Sequence, residues 1–490
     1  MIIKLKSEVP ADETDILKLA AEQVRFHQFR NVLDKQGRVE IANAYAWANL
    51  YHLRLSNPNA GAQELEFEMN EIQKMKEVEY VEKNFIFSLD AVLEAIEDKA
   101  AGREPSLSQF ESPETQNDEL VDQKEKKIII AVIDTGVDYS HRDLASHMWR
   151  NKNEIAGDGI DNDGNGFIDD VKGWDFVNND NDPYDDHYHG THVAGIVLSV
   201  QDVRDRAIEI MPLKFLSGSG FGSTGDAIKA IDYAVKNGAS VLNNSWGGGS
   251  YSQALRDAII SSYYANRVFV VAAQNRGDNL DEKPAYPPSY LIPNMITVAA
   301  LDDQQNLAWF SNYGPKTVHV GARGVAVYSA VPKERCEKPP CYAYLSGTSM
   351  STPYVAGIAA MMLSKNPDLM HLQVKEIVMK TSSKNPSLNG KIGEGSVEGE
   401  AAITVAVNTL PDTGGIPPYT PSSIPSLIGL DPKITAASAV AGCGFLNDRN
   451  DDPDGASSSA TLFFLAWPLL FIFFLKFLFN IRPKFLFCQF

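Results

Sequence analysis

Cysteine is scarce, with four residues in a chain of 490. That excludes a small scaffold held together by disulfides, which needs many half-cystines in a short chain. Cys336 and Cys341 stand close together in CEKPPC and leave two readings open, a loop-closing disulfide or two unrelated thiols; Cys443 and Cys488 have no evident partner. Positive charge is short as well. Lys and Arg number 44 against 63 Asp and Glu, a formal net charge of −19. Nucleic acid is therefore not an expected partner, because binding phosphates needs a cationic surface. An acidic excess suits a protein working outside the cytosol, or one holding several divalent cations.

The opening residues MIIKLKSEVPADE carry neither an apolar core segment nor a small-residue cleavage site, so no secretory leader is visible. Either the start lies upstream or the protein stays inside. MIIKLK suits a first strand, which favours a truncated start. Long apolar runs are lacking too, apart from TLFFLAWPLLFIFFLKFLFNI at 461–481, broken only by Lys476 and Asn480. Its unbroken part, 461–475, falls short of the roughly 20 residues of a spanning helix, but Lys476 can snorkel to the headgroups. Arg482 and Lys484 supply a positive flank. The expectation is one C-terminal transmembrane helix with a basic tail at 482–490, anchoring an otherwise extracytoplasmic protein.

What is present is an ordinary globular composition, 44% hydrophobic and 22% charged, at a length suited to two or three units. Residues 1–100 read as a small α+β unit. IIKLK (2–6) and EYVEKNFIF (79–87) read as strands, and DETDILKLAAEQVRFHQFR and AQELEFEMNEIQKM as amphipathic helices. Residues 101–125 are polar and rich in Pro, Ser and Glu, a linker open to proteolysis. From Lys127 the texture changes. KIIIAVIDTG, ASVLNNSWG, RVFVVAAQN and NMITVAAL are continuous apolar runs suited to strands buried on both faces. Helical stretches at 224–238 and 252–266 lie between them. The pattern predicts an α/β domain over 126–408, a parallel sheet with helices on both faces, whose reactive groups gather at the carboxyl ends of its strands. A Pro/Ser-rich and then acidic spacer at 409–460 leads to the apolar segment.

Three residues carry the chemistry. Asp134 ends the first buried run, His189 opens HGTHVAG, and Ser349 sits in SGTSMSTPYVAG where a turn feeds a helix. A carboxylate can orient an imidazole, which takes a proton from a hydroxyl that then attacks a carbonyl. At a helix N-terminus Ser349 also lies in a field that favours developing negative charge. Upstream of His189, GDGIDNDGNGFIDD places Asp161, Asp163, Asn165, the Phe167 carbonyl and Asp169 at positions 1, 3, 5, 7 and 9 of a calcium loop. Position 12 is Lys172 and not a bidentate glutamate, so a helix–loop–helix sensor is not expected. Oxygen donors at flexible spacing favour Ca2+ over Mg2+ or Zn2+. Asp180, Asp182, Asp185 and Asp186 are either further ligands or a solvated acidic loop.

VIDTGVDYSHRDL, HGTHVAG and GTSMSTPYVAG, in the order Asp, His, Ser, closely resemble the three signature blocks of the subtilisin-like serine proteases over roughly 127–407. The resemblance implies a serine endopeptidase working through an acyl-enzyme, with Ser349 as nucleophile, His189 as general base and then acid, and Asp134 as the orienting carboxylate. It further implies Asn275 as an oxyanion donor. Ser245, Trp246 and Gly247 would form one wall for an extended polypeptide substrate, and Gly220 within SGSGFG the other. Residues 1–100 resemble the family's inhibitory propeptide, a ferredoxin-like partner cut away during self-processing, with the mature start expected within 101–125. Many bacterial relatives carry a similar acidic insertion, read as calcium-binding, so the ion is expected as a brace for the loop that delivers His189. One departure stands out. The family usually has glycine where this chain has Gln274, which puts the usual broad apolar preference of the first specificity pocket in doubt. The rival expectation is a catalytically silent calcium-binding adhesin on the same fold.

Overall fold

The structure is a computed structural model that describes residues 1–5, 39–45, 50–57, 60–89, 93–94, 127–201, 207–336 and 339–419. The linker at 101–125, the expected first helix of the N-terminal unit and the apolar segment at 461–481 lie outside the described residues. Among the described residues no helix is long and apolar enough to cross a membrane.

The N-terminal unit contains β1 (Ile2–Leu5), β2 (Val39–Tyr45), β3 (Leu50–Leu55), α1 (Ala62–Gln73) and β4 (Val78–Glu82). Its four strands form an antiparallel sheet in the order β2-β3-β1-β4. Ile3, Leu5, Tyr51, Leu53, Ile72 and Val78 give it a core of its own. The run 79–87, read from sequence as one strand, is divided. After β4 the chain leaves the sheet, and β5 (Ile86–Ser88) pairs elsewhere, followed by the short β6 (Leu93–Glu94).

The larger domain opens with β7 (Ile128–Asp134), β8 (Trp174–Asp175), α2 (His189–Leu198), β9 (Ile208–Lys214), β10 (Phe221–Ser223) and α3 (Thr224–Lys236). It continues with β11 (Val241–Asn244), α4 (Gln253–Tyr264), β12 (Val268–Ala272), β13 (Met295–Leu301), β14 (Val320–Arg323), β15 (Val327–Val331) and β16 (Cys341–Ser346), and ends with α5 (Thr348–Lys365), α6 (His371–Thr381) and α7 (Gly399–Val407). Seven strands form a parallel sheet in the order β14-β13-β12-β11-β7-β9-β8.

The continuous apolar runs follow from cover on both sides. Along a strand successive side chains point to opposite faces. Ile130, Val132, Ile208, Ile210, Val268 and Val270 pack with α2, α5, α6 and α7. Ala131, Ile133, Met211, Leu213, Phe269 and Val271 pack with α3 and α4 on the opposite face. Helices on both faces of a parallel sheet are the architecture the sequence predicted. The helices α2 and α5 cross closely, because a side chain at Gly357 would come within 2.6 Å of the Val197 carbonyl. This crossing brings the first turns of both helices to the carboxyl end of β7. Cys336 and Cys341 are joined as a disulfide, which resolves their two readings.

Candidate active site

Asp134 is the last residue of β7 and His189 the first of α2. Their side chains are 0% exposed, and His189 Nδ1 lies 2.7 Å from Asp134 Oδ1. The backbone N–H of Thr135 also donates to Asp134 Oδ1 at 2.8 Å, holding the carboxylate in one rotamer. The approach of helix to strand needs glycine after the histidine, since a Cβ at Gly190 would lie 2.0 Å from the Gly136 carbonyl and 3.2 Å from Asp134 Cβ. His189 Nε2 is buried and has no hydrogen-bond partner. With Nδ1–H directed at the carboxylate, Nε2 is the nitrogen left free to accept a proton.

Ser349 is the second residue of α5. Pro353, four residues on, has no N–H to give the Ser349 carbonyl. The Ser245 hydroxyl donates to that carbonyl at 3.1 Å, and Ser349 Oγ donates in return to the Ser245 carbonyl at 3.0 Å. A helix-breaking residue inside α5 thus has a local reason: it releases a carbonyl that ties the start of α5 to the end of β11. Ser349 Oγ rests on Ser245 and not on His189 Nε2, so proton transfer requires a rotation of the hydroxyl. Such bonds are often loose before substrate arrives.

Asn275 Oδ1 accepts from the Thr348 N–H and the Thr348 hydroxyl, both at 2.9 Å. With its oxygen occupied, the amide presents Nδ2 toward Gly347, where a Cβ would lie 3.4 Å from it. The donors of that amide therefore sit beside the N-terminal turn carrying Ser349, the place where a tetrahedral oxyanion would form.

Three of the four expected substrate-wall residues, Trp246, Gly247 and Gly220, contact one segment, 87–89, of the N-terminal unit. β5 runs antiparallel to β10, and Ser88 bridges Gly247 on the opposite wall. Leu89 N–H donates to the Gly220 carbonyl at 2.9 Å. Phe87 is fully buried with its ring 5.1 Å from that of Trp246, which in turn packs 4.7 Å from Phe215. Ser245 contributes its carbonyl, as above. Further along the chain, β6 pairs with β16, Leu93 opposite Ser346, three residues before Ser349.

A second layer braces His189. Asp185 is 1% exposed and accepts from the Thr135 hydroxyl (2.9 Å), the Thr191 hydroxyl (2.7 Å) and N–H (2.9 Å) and the His187 N–H (3.0 Å). Thr135 Oγ1 in turn accepts from Gly190 N–H. Burial pushes the Asp185 carboxyl up to about 6, against the opposing pull of these donors. The sequence offered Asp185 only as a metal ligand or a solvated acid. Asp186 is likewise committed, 2.6 Å from the buried Lys214 ammonium, and Asp182 accepts from the Tyr139 hydroxyl.

The acidic loop departs from its sequence template. Asp161 and Asp163 come together with Glu154, their carboxylate oxygens within 4.8 Å of one another. Asp169 is not in this group. Its backbone has φ 56°, and its carboxylate accepts from the N–H groups of Gly157, Asp158 and Gly159. Asn165 donates to Asp170 and accepts from the Phe167 N–H, so its amide shapes the turn. The Phe167 ring anchors the loop among Trp174, Phe176 and Tyr233, at 5.0, 5.9 and 5.1 Å. Three clustered carboxylates fit a hard cation, and Glu154 is the member that the spacing template did not reach.

The Subtilase family (Peptidase S8) matches residues 125–395. The chain belongs to that family. It is 35% identical over 312 residues to subtilisin-like protease 1 of Plasmodium vivax, covering 59% of this chain and 48% of that protein. It is 33% identical over 285 residues to subtilisin DY of Bacillus licheniformis, covering 57% of this chain and 92% of the relative. Among solved structures, that of a cold adapted subtilisin-like serine proteinase aligns with 28% identity and a TM-score of 0.45, covering 56% of this chain and 90% of that one. The chain spans about half the length of the Plasmodium relatives it matches.

Proposed function

We propose that this protein is a serine endopeptidase that hydrolyses peptide bonds through an acyl-enzyme and is made as a self-processing zymogen. Ser349 is the nucleophile, His189 the base that takes its proton and returns it to the leaving amine, and Asp134 the group that orients the imidazole and stabilises its charged form. Asn275 and the Ser349 N–H receive the oxyanion. The observation that carries this reading is the 2.7 Å Asp134–His189 bond beside the Ser349–Ser245 pair, with a strand of the same chain laid along both walls. Strand addition of this kind recognises polypeptide backbone. No observation favours the silent adhesin, and Asp134, His189, Ser349 and Asn275 are all present.

The N-terminal unit acts as the enzyme's first substrate and its inhibitor. Leu89 is bonded to Gly220 and Leu93 pairs with Ser346, three residues before Ser349; the first cut would fall between those two residues, and 101–125 would be left for a later cut. Glu154, Asp161 and Asp163 would hold calcium, which neutralises their mutual repulsion and stiffens the segment leading to His189. The Cys336–Cys341 disulfide agrees with an oxidising, extracytoplasmic compartment, and the apolar run at 461–481 would tether the enzyme there.

Mass spectrometry of wild type and Ser349→Ala tests the core of this. Wild type should be cut between Leu89 and Leu93 and react with a fluorophosphonate, while Ser349→Ala stays full length and unlabelled. Two uncut, unreactive proteins would remove the assignment.

A further inference from the structure

Gln274 stands one residue before Asn275 in a backbone conformation that side-chain-bearing residues avoid, with φ 76°. A glutamine held there at a cost of about 1 kcal/mol or more calls for a reason. Its side chain supplies one. It is 2% exposed and lies flat on Gly247, where a Cβ would come within 2.1 Å of its Nε2 and 2.6 Å of its Cδ. Nε2 donates to the Tyr286 carbonyl at 3.1 Å, while Oε1 is sealed from solvent without a hydrogen-bond partner. The glutamine amide therefore fills the slot between 245–249 and 273–275, and it does so with an unsatisfied acceptor and one spare N–H.

The register of the cleft says which substrate residue meets this slot. Ser88 sits opposite Gly247 in an antiparallel bridge. A substrate strand in the same register puts the residue two positions further on opposite Ser245, whose carbonyl lies 3.0 Å from Ser349 Oγ. That residue supplies the carbonyl to be attacked.

We propose that Gln274 determines specificity at the residue preceding the scissile bond, restricting it to short polar side chains such as Asp, Asn and Ser that bond its amide. The inference rests on the endopeptidase reading above. Aromatic and long aliphatic side chains are refused on two grounds: the slot is occupied, and they can bond neither the buried Oε1, as Asn or Ser can, nor the spare Nε2–H, as Asp can.

The test is kcat/KM on peptides Phe-Ser-Leu-X-Ala-Val, with X as Asp, Asn, Ser, Leu or Phe, for wild type, Gln274→Gly and Gln274→Asn. Glycine is at ease at φ 76°, so the first variant should fold, and the readout is a ratio between substrates that does not depend on overall rate. Wild type should favour the polar X over Phe by roughly tenfold to a hundredfold. Gln274→Gly should level or reverse that ratio, and Gln274→Asn should keep the polar preference while admitting larger side chains. A wild type that prefers Phe, or a ratio unchanged in Gln274→Gly, overturns the proposal. An enzyme that labels with fluorophosphonate yet cuts none of the series overturns it alone; one that neither labels nor cuts removes the endopeptidase reading as well.

Discussion

Two acidic regions precede α2 in the chain and are built on opposite principles. In the Asp134–Asp185 region each carboxylate is answered by the protein, by His189 and Thr135 N–H in one case and by four donors in the other. In the 154–169 loop, Glu154, Asp161 and Asp163 face one another, and their protein partners are mostly the loop's own backbone N–H groups, with Asn151 reaching Asp163. In the first region folding supplies partners to each carboxylate, because buried charge persists only where partners meet it, while Asp134 Oδ2 is left without a hydrogen bond. The second leaves three like charges facing one another. The chain itself thus organises Asp134, His189 and Asp185, whereas the acidic loop gathers negative charge.

The largest effect should come from breaking the buried region at its centre. Asp134→Asn keeps the shape but offers an amide where the imidazole needs an acceptor, which favours the wrong tautomer. A fall of about 10⁴-fold in kcat is expected, with little change in KM. Steady-state kinetics with one peptide checks it, and a loss confined to KM would move Asp134 out of the proposed role.

One step outward, Asp185→Asn should cost on the order of 2–4 kcal/mol, since an amide cannot accept from every donor now aimed at the carboxylate. The pH dependence sharpens this. Burial raises the Asp185 carboxyl to about 6 in the folded state, so between its unfolded value near 4 and about pH 6 the folded protein binds the extra proton. The contribution of this group to stability is therefore largest below pH 4, declines up to about pH 6, and is constant above. Denaturant unfolding of wild type and variant from pH 4 to 7 should show that slope in wild type alone. Equal slopes would mean that Asp185 is not the titrating group.

Much of this contrast was out of reach of the sequence, for physical reasons that differ from residue to residue. The apolar runs at 128–134, 241–244, 268–272 and 295–301 announced a sheet covered on both faces, because a strand buried on both sides has no polar alternation to display. The three motif blocks named the residues at its carboxyl edge. Asp185 could not be read, since an aspartate in an acidic loop looks the same whether its partners are water, an ion or Thr135 and Thr191 brought in by folding. Glu154 was missed because the loop template counts forward from Asp161, whereas the chain doubles back to bring in a carboxylate from seven residues upstream. The break between β4 and β5 was invisible for a similar reason: β5 is apolar at Phe87 for the sake of Trp246 and Phe215, which belong to another domain.

The acidic loop gives the smallest and most selective effect. If calcium binds the folded loop and not the unfolded chain, chelation should lower Tm by roughly 5–10 °C at calcium levels near a hundred times Kd. Glu154→Gln should shrink that calcium-dependent shift, because it removes one of the three facing carboxylates. Asp169→Asn should lower Tm somewhat in calcium and EDTA alike, having weakened the bonds to Gly157, Asp158 and Gly159, but leave the shift itself intact. The two variants thus separate a carboxylate that meets the ion from one that only shapes the turn. Thermal scans with and without EDTA decide it: a shift lost in Asp169→Asn and kept in Glu154→Gln would return the loop to the ligand set that its sequence spacing advertises.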